Sequence, residues 1–290
     1  MFERLEKLNR LAERLSLRVD YFDRLPSTND HAARPEYSAA SLVWAEEQTQ
    51  GRGQRGNSWS SRGGENLTFS LVVHPENLRA EHQFYLSKAV SVALVEALAA
   101  FSLTATVKWP NDIYIGDRKV AGILIENDLQ GARITKSIIG IGLNVNQLLF
   151  DPALPNPVSM RTVADRPFDR IEVLEQVIER LLYRTRGNFE KSKILRYAPS
   201  PKCSSTFSTL RFCLGRKPCL LNFWKSPKNG IDEKYSQSLY RGRGIHQFRE
   251  PGGEPFEASI EAVRPDGELI LRKTDGTRKG YLFKEIEFVL

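Results

Sequence analysis

The stretch Gly51-Arg52-Gly53-Gln54-Arg55-Gly56-Asn57 sets two guanidiniums on a backbone that three glycines leave bare. Such a backbone can fold over an anion, and each charge-assisted bond from an arginine contributes roughly 1.5 to 3 kcal/mol. The same residues spell GxGxxG, the dinucleotide fingerprint, whose third glycine must open a helix with an apolar packing face. Here the chain continues as Asn57-Ser58-Trp59-Ser60-Ser61-Arg62, a polar loop. The context favours an anion-covering loop over a dinucleotide turn. Taken alone, a solvated basic turn stays open.

Three further groups carry chemistry. Lys108-Trp109-Pro110-Asn111-Asp112 crowds an ammonium, an amide and a carboxylate at one corner. Pro110 withholds a ladder hydrogen bond there and biases Trp109 to an extended backbone. A tight turn accounts for the Pro, Asn and Asp but not for the Lys and Trp. Arg118-Lys119-Val120-Ala121-Gly122-Ile123-Leu124 reads as a strand, so Arg118 and Lys119 point to opposite faces and only one can face a pocket. Gly122 weakens that strand unless something approaches its backbone closely. In Gly140-Ile141-Gly142-Leu143-Asn144-Val145-Asn146, period two places Gly140, Gly142, Asn144 and Asn146 on one face and the apolar residues on the other. One face packs, and the bare face suits a flat ring, with Asn144 at its polar edge or behind a phosphate.

Regular elements must hold these groups. Leucines at three- and four-residue spacing predict an amphipathic helix over 2–15, followed by a strand over 17–22. Ser27, Thr28 and Asn29 are suited to cap a helix running through His31, Ala32 and Ala33. Strands are predicted at 42–45 and 67–73 around the polar loop 46–65, with a buried helix over 82–101. Closely spaced strands follow at about 104–109, 112–115, 119–126 and 132–143, joined by glycine turns that imply antiparallel pairing. A helix over 169–188 closes the main domain. The last fifty residues read as short strands broken by Pro265-Asp266-Gly267 and Asp275-Gly276, a small all-β module.

The chain has 290 residues, a net charge of +7 and a pI near 9.3. Its basic excess is local: residues 191–231 hold nine Lys or Arg and no Asp or Glu. The remaining chain is no polycation. That stretch also carries Cys203, Cys213 and Cys219, whose spacing fits neither a disulfide framework nor a metal pair. A basic insertion, a disordered loop and a frame-shifted stretch all fit it. No window approaches the roughly 18 apolar residues of a membrane span, so a soluble, cytoplasmic protein is expected.

The combination resembles the biotin protein ligases. It is carried by STN at 27–29, EEQTQGRGQRGNSW at 46–59, NLTFSLVV at 66–73, KWPNDIY at 108–114, RKVAGILIE at 118–126 and GIGLNVN at 140–146. The C-terminal FKEIEFVL resembles the same family's terminal domain. The resemblance implies an α+β fold shared with class II aminoacyl-tRNA synthetases, a mixed sheet backed by helices, with a small C-terminal SH3-like β-barrel. It implies a catalytic domain over 1–190, a basic linker or insertion over 191–238 and the barrel over 239–290. By position, Ser27, Thr28, Asn29, Gln48, Gly51, Arg52, Gly53, Gln54, Lys119 and Gly122 would bind biotin. Arg52, Arg55, Trp59, Lys108 and Asn144 would lie on the ATP side, and Lys119, Arg52 and Asp112 would be catalytic. The implied activity adenylates biotin with ATP and Mg2+, then transfers it to a lysine of a biotin carboxyl carrier protein. No metal ligands are assigned, and a homodimer is compatible with it.

Two departures stand out. Gln54 and Asn57 replace arginines usual in the family's loop, and the acid-free stretch replaces its short helical linker. Too few residues precede Ser27 for the winged helix of DNA-binding relatives, so no sequence-specific DNA binding is expected. The alternatives are a lipoate-protein ligase-like acyl-adenylate enzyme, a nucleic-acid-binding protein using residues 191–231, and a damaged ligase that holds biotin without efficient turnover.

Overall fold

The computed structural model describes residues 2–75, 78–185 and 230–289. The stretch 186–229, with the three cysteines and most of the basic excess, lies outside the described residues. Helix α1 (Phe2–Leu15) buries Leu8 and Leu11, as its leucine spacing predicts. Strand β1 (Arg18–Leu25), the short helix α2 (Thr28–Ala32) and strand β2 (Ser41–Gln48) follow. Beyond the glycine loop come β3 (Leu67–Val73), the buried helix α3 (Phe84–Ala99), β4 (Thr106–Lys108) and β5 (Asp112–Ile115). The long strands β6 (Arg118–Gln130) and β7 (Arg133–Leu143) pair through a turn at Gly131, whose φ of 59° suits glycine.

These strands form one seven-stranded sheet in the order β1-β2-β3-β7-β6-β5-β4, parallel only between β1 and β2. Period two assigns its faces. Leu67, Phe69, Leu71, Ile139, Ile141, Leu143 and Ile123 join the core shared with α1, α3 and α5 (Arg170–Thr185). The opposite face packs Val43, Ala45, Val72 and Ile138 under α2, and further along it carries Gly140 and Gly142. The mixed sheet backed by helices agrees with the expected fold class.

Some elements differ from expectation. A one-turn helix, α4 (Met160–Ala164), precedes α5 and is capped by Ser159, whose Oγ accepts from the Thr162 amide at 3.1 Å. Residues 231–237, read from the sequence as linker, form α6 (Ile231–Gln237), which buries Ile231 and Tyr235 beside α3. Strand β7 stops at Leu143, so Asn144 and Asn146 do not continue its bare face. The Asn144 amide N–H instead donates to Val120 O, and Val145 turns into the core.

The C-terminal strands β8 (His246–Arg249), β9 (Pro255–Val263), β10 (Leu269–Lys273), β11 (Arg278–Tyr281) and β12 (Glu287–Phe288) make an antiparallel sheet in the open order β11-β10-β9-β8-β12. Gly267 and Gly276 adopt φ of 97° and 87° at its turns, where the sequence placed them. Three contacts fasten the C-terminal residues to the larger sheet and its helix α3. Trp109 Nε1 donates to Gly267 O at 2.9 Å, Lys88 Nζ donates to Val263 O at 3.0 Å while pairing with Asp232 at 2.8 Å, and Tyr240 N donates to Val107 O at 2.8 Å.

A buried ion pair fixes the frame near the glycine loop. Arg170, at the start of α5, grips Glu46 of β2 with both guanidinium nitrogens at 2.7 and 3.1 Å. It also donates to Asn66 O at 3.0 Å, and Tyr21 OH donates to Glu46 at 2.9 Å. The two side chains are only 9% and 11% exposed. Removing one member strands a buried charge, at a cost of about 3–5 kcal/mol. Glu46→Ala should lose stability on that scale in urea unfolding, and a loss below about 1 kcal/mol contradicts the role given to the pair.

Candidate functional site

A cavity of about 830 Å³ opens on the sheet face opposite the long helices. Its floor is β6 and β7, one end is the start of α2, and the glycine loop lies across it. The other end is made by the Lys108–Asp112 corner and by residues 283–288 of the C-terminal sheet.

At the α2 end Ser27, Thr28, Asn29 and Ser70 are buried, Gln48 and Glu126 are half-buried, and all are hydrogen-bonded. Ser27 caps the helix, its Oγ accepting from the Asp30 amide. Gln48 Oε1 accepts from Thr28 N at 2.7 Å and from Thr28 Oγ1 at 3.0 Å. Ser70 Oγ lies 2.8 Å from Thr28 Oγ1 and 2.6 Å from Asn29 Oδ1. Asn29 Nδ2 donates to Glu126 Oε2 at 2.7 Å. Asn29 lies directly over Gly140, where a Cβ would come within 2.2 Å of its Oδ1. Sequence reading missed Ser70 and Glu126 as members of this nest. The available signal was polar residues Thr68 and Ser70 alternating with apolar ones in an otherwise buried strand.

The glycine loop is a small hairpin. Trp59 N donates to Gly51 O at 2.9 Å and Gly53 N to Asn57 O at 2.6 Å. Gly51 does not line the cavity; its role is close approach, since a Cβ there would lie 2.3 Å from Trp59 O. Gly53, Gln54 and Asn57 do line it. The bare glycine face does receive a flat ring, and the ring is the chain's own. The Trp59 indole rests on Gly142 and Gly122, whose added Cβ atoms would sit 2.1 Å from Cε2 and 2.9 Å from Cζ3. Trp59 Nε1 and Gln54 Oε1 are buried with no hydrogen-bond partner among the described residues, an unmet donor and an unmet acceptor at the cavity. Arg52 lines the cavity, but its guanidinium bonds Asp30 at 2.6 Å and Glu126 at 2.9 Å. The Arg55 side chain lies outside the described residues.

At the far end Lys119 Nζ pairs with Asp112 at 2.7 Å and stands 5.6 Å from the Trp59 ring centroid. A β-bulge brings this about. Asp112 pairs with Gly122 and Ile113 with Ala121, but Tyr114 pairs with Lys119, so Val120 is an extra residue on β6. Simple alternation would turn Lys119 away from the face of Gly122; the bulge re-aims it. Asn156 and Val158 hold its backbone, through Lys119 N to Asn156 O at 2.7 Å and Val158 N to Lys119 O at 2.9 Å.

Lys108 Nζ bonds Tyr114 OH at 3.1 Å and faces the cavity, while Asn111 Nδ2 ties the corner to Ile123 O at 2.7 Å. Asn144 does not line the cavity: it is buried, and its Nδ2 donates to Val158 O at 3.1 Å. Its geometry is that of a brace for the segment holding Lys119. The cavity therefore runs from a hydrogen-bonding nest, across a glycine floor on which Trp59 rests, to an end that gathers Lys108, Lys119 and Asp112. Among the described residues no cluster of three His, Cys, Asp or Glu could hold a metal ion.

The Gly142 contact is testable apart from any activity. Gly142→Ala places a methyl where the indole lies, so Trp59 must leave the floor. The fluorescence difference between the protein and its Trp59→Phe variant should shift to the red in the Gly142→Ala background. An unchanged difference spectrum contradicts the stacking.

Comparison with known proteins gives consistent results. Residues 21–144 match the family described as biotin/lipoate A/B protein ligase. The chain is 33% identical over 167 residues to the bifunctional ligase/repressor BirA of Bacillus subtilis, a match covering 54% of this chain and 50% of the relative. It is 34% identical over 161 residues to the biotin--[acetyl-CoA-carboxylase] ligase of Paracoccus denitrificans, covering 52% and 66%. The chain thus spans about half the length of the BirA proteins of Bacillus that it matches. In fold it is similar to the biotin protein ligase of Aquifex aeolicus, solved with biotin and ATP, at a TM-score of 0.67 and 21% identity over 93% of this chain and 97% of that one. The Leishmania major biotin protein ligase, solved with biotinyl-5-AMP, gives 0.55 and 22% over 91% and 98%.

Proposed function

We propose that this chain, whose residues 21–144 belong to the biotin/lipoate A/B protein ligase family, adenylates biotin with ATP and transfers it to a lysine of a biotin carboxyl carrier protein. One observation carries the reading: a polar nest and the Lys119–Asp112 pair stand at opposite ends of a single cavity floored by glycine backbone. An acid with a polar head and a flexible chain fits that layout, its carboxylate reaching the cationic end.

The hydrogen-bond inventory of the nest favours biotin over lipoate. Gln48 spends Oε1 on Thr28 and keeps Nε2 to donate, while Asn29 spends Nδ2 on Glu126 and keeps acceptor capacity on Oδ1. A donor beside an acceptor matches the C=O and N–H of a cyclic urea. A dithiolane ring offers neither and would leave buried polar groups unpaired, at roughly 1–3 kcal/mol each.

In the first step the biotin carboxylate attacks the α-phosphorus of ATP and pyrophosphate leaves. In the second the acceptor lysine amine attacks the acyl carbon, loses a proton, and AMP leaves. Negative charge builds on the α-phosphate oxygens, and fixed cations lower that barrier. Lys119 is the cation best placed to do so, with Asp112 setting the position of Nζ. Lys108 supports the nucleotide side. Arg52 is a secondary contributor: its ion pairs with Asp30 and Glu126 both run through Nη2 and hold the guanidinium at the cavity, with Nη1 and Nε on its other edges.

Magnesium is expected to arrive on the triphosphate and to be held mainly by its oxygens, as the described residues offer no preformed cage. Asp112 is the carboxylate beside Lys119 that could add one oxygen; the ion would neutralise phosphate charge. We read the C-terminal sheet as an opened SH3-like module and residues 1–190 as the catalytic domain. A cytoplasmic setting belongs to the same proposal, and no described helix is long and apolar enough to cross a membrane.

Transfer of labelled biotin to a carrier domain with ATP tests the whole reading, and no transfer refutes it. Lys119→Ala should lower biotin-dependent pyrophosphate exchange by at least about 100-fold, the scale of losing one transition-state charge contact. Near-normal exchange sinks that assignment. With Gln54 and Asn57 in place of arginines, the adenylate should be held less firmly than in arginine-rich relatives. Gln54→Arg should then release biotinyl-AMP more slowly than the parent chain, and equal rates refute the idea.

A further inference from the structure

The hydrogen bonds behind the polar nest converge on a carboxylate that does not itself line the cavity. Glu126 lies on β6, on the face it shares with Gly122 and Leu124. Its Oε2 accepts from two side chains that do line the cavity: Asn29 Nδ2 at 2.7 Å and Arg52 at 2.9 Å. One atom thereby joins the nest to the glycine loop.

The consequence follows from the two partners' chemistry. A terminal amide can sit either way round, presenting its oxygen or its NH2 to a ligand. An ionised carboxylate has no donor, so whatever faces Glu126 must be the NH2 end. Ser70 Oγ, 2.6 Å from Asn29 Oδ1, fits that sense but, as a hydroxyl that can donate or accept, does not set it, so the choice falls to Glu126. With Nδ2 spent on Glu126 and within 3.4 Å of Leu124 O, the remaining capacity of Asn29 is on Oδ1, above the bare backbone of Gly140. On the other side Glu126 shares the Arg52 guanidinium with Asp30, at 2.6 Å, and anchors the loop to the sheet.

We propose that Glu126 is a positioning residue for the biotin site: it fixes the donor–acceptor sense of Asn29, selecting a head group that offers an N–H, and tethers Arg52 over the cavity. The inference rests on the biotin-activating reading above and deepens it by naming what sets head-group specificity. Its two halves separate by substitution. Glu126→Gln keeps an oxygen that accepts from Asn29 but removes one of the two charges that hold Arg52, the one that ties it to the sheet. Glu126→Ala removes both. The side chain is 37% exposed, so neither change empties a packed core.

Calorimetric titration of the full chain with biotin, without nucleotide, reads the first half. Glu126→Ala should weaken biotin binding about 10-fold, the scale of one lost charge-assisted hydrogen bond, while Glu126→Gln should stay within about threefold of wild type. Pyrophosphate exchange reads the second half. Glu126→Gln should keep its KM for biotin and lose kcat about fivefold or more as Arg52 loses its tie to the sheet and keeps only Asp30, whereas Glu126→Ala should change both. A Glu126→Ala protein that binds biotin within about threefold of wild type overturns the inference, as does a Gln variant that loses binding as fully as the Ala variant. Wild-type protein that binds no biotin overturns the biotin reading itself, and this inference with it.

Discussion

Three glycines grouped on one face of two adjacent strands are the constraint that the rest of the structure accommodates. On β6 and β7, Gly122, Gly140 and Gly142 expose backbone at mid-sheet, while Ile123, Ile141 and Leu143 on the reverse side sit in the main core. Glycine in a strand interior forfeits packing and costs chain entropy. The buried reverse face offsets that loss, and the glycine face stays clear because other groups lie against it. The Trp59 indole covers Gly142 and Gly122, and the Asn29 amide covers Gly140. The helices stacked behind the sheet, the Glu46–Arg170 clamp and the hairpin form of the glycine loop all hold that floor and its cover in register.

Charge is distributed along the floor with the same economy. At the Asn29 end the cavity-lining polar groups are neutral apart from Arg52, which answers the carboxylates set behind them. The opposite end holds Lys119 against Asp112 and Lys108 against Tyr114. Tyr114 in turn packs on Tyr240, whose hydroxyl is pushed up to about 12 by burial and by its bond to Asp117. That phenol therefore stays protonated through the physiological range. The turn at Gly267 accepts from Trp109, so the corner carrying Asp112 is braced by the smaller sheet as well as the larger.

Much of this is legible in the chain. Alternation in 140–143 and 67–73 assigns faces because a strand's side-chain period is two whatever surrounds it. Leucine spacing places α1, and the glycine turns at 265–267 and 275–276 divide the last strands. Legibility fails where local rules meet tertiary ones. Alternation extended through Asn144 and Asn146 misplaces both, since β7 ends where Asn144 binds back to Val120 and Val158. Helix α6 carries no strong period of its own and is fixed by burying Ile231 and Tyr235 beside α3. Ser70 and Glu126 lie inside the matched segments 66–73 and 118–126, yet nothing in the local sequence assigns either a role; only the fold brings them to Asn29.

By itself the sequence determined the strands and turns, the residue types gathered at the site and the family resemblance, which in turn implied the mixed sheet, because those depend on periodicity, turn chemistry and motif order. The tertiary structure decided which way the groups point and what they hold. Whether Arg118 or Lys119 faces the cavity depends on one extra residue opposite Tyr114, which pairing alone can create. Whether Arg52 stands free or bound depends on Asp30 and Glu126, distant in sequence and brought within hydrogen-bond reach by the packing of α2 against β2, β3 and β7.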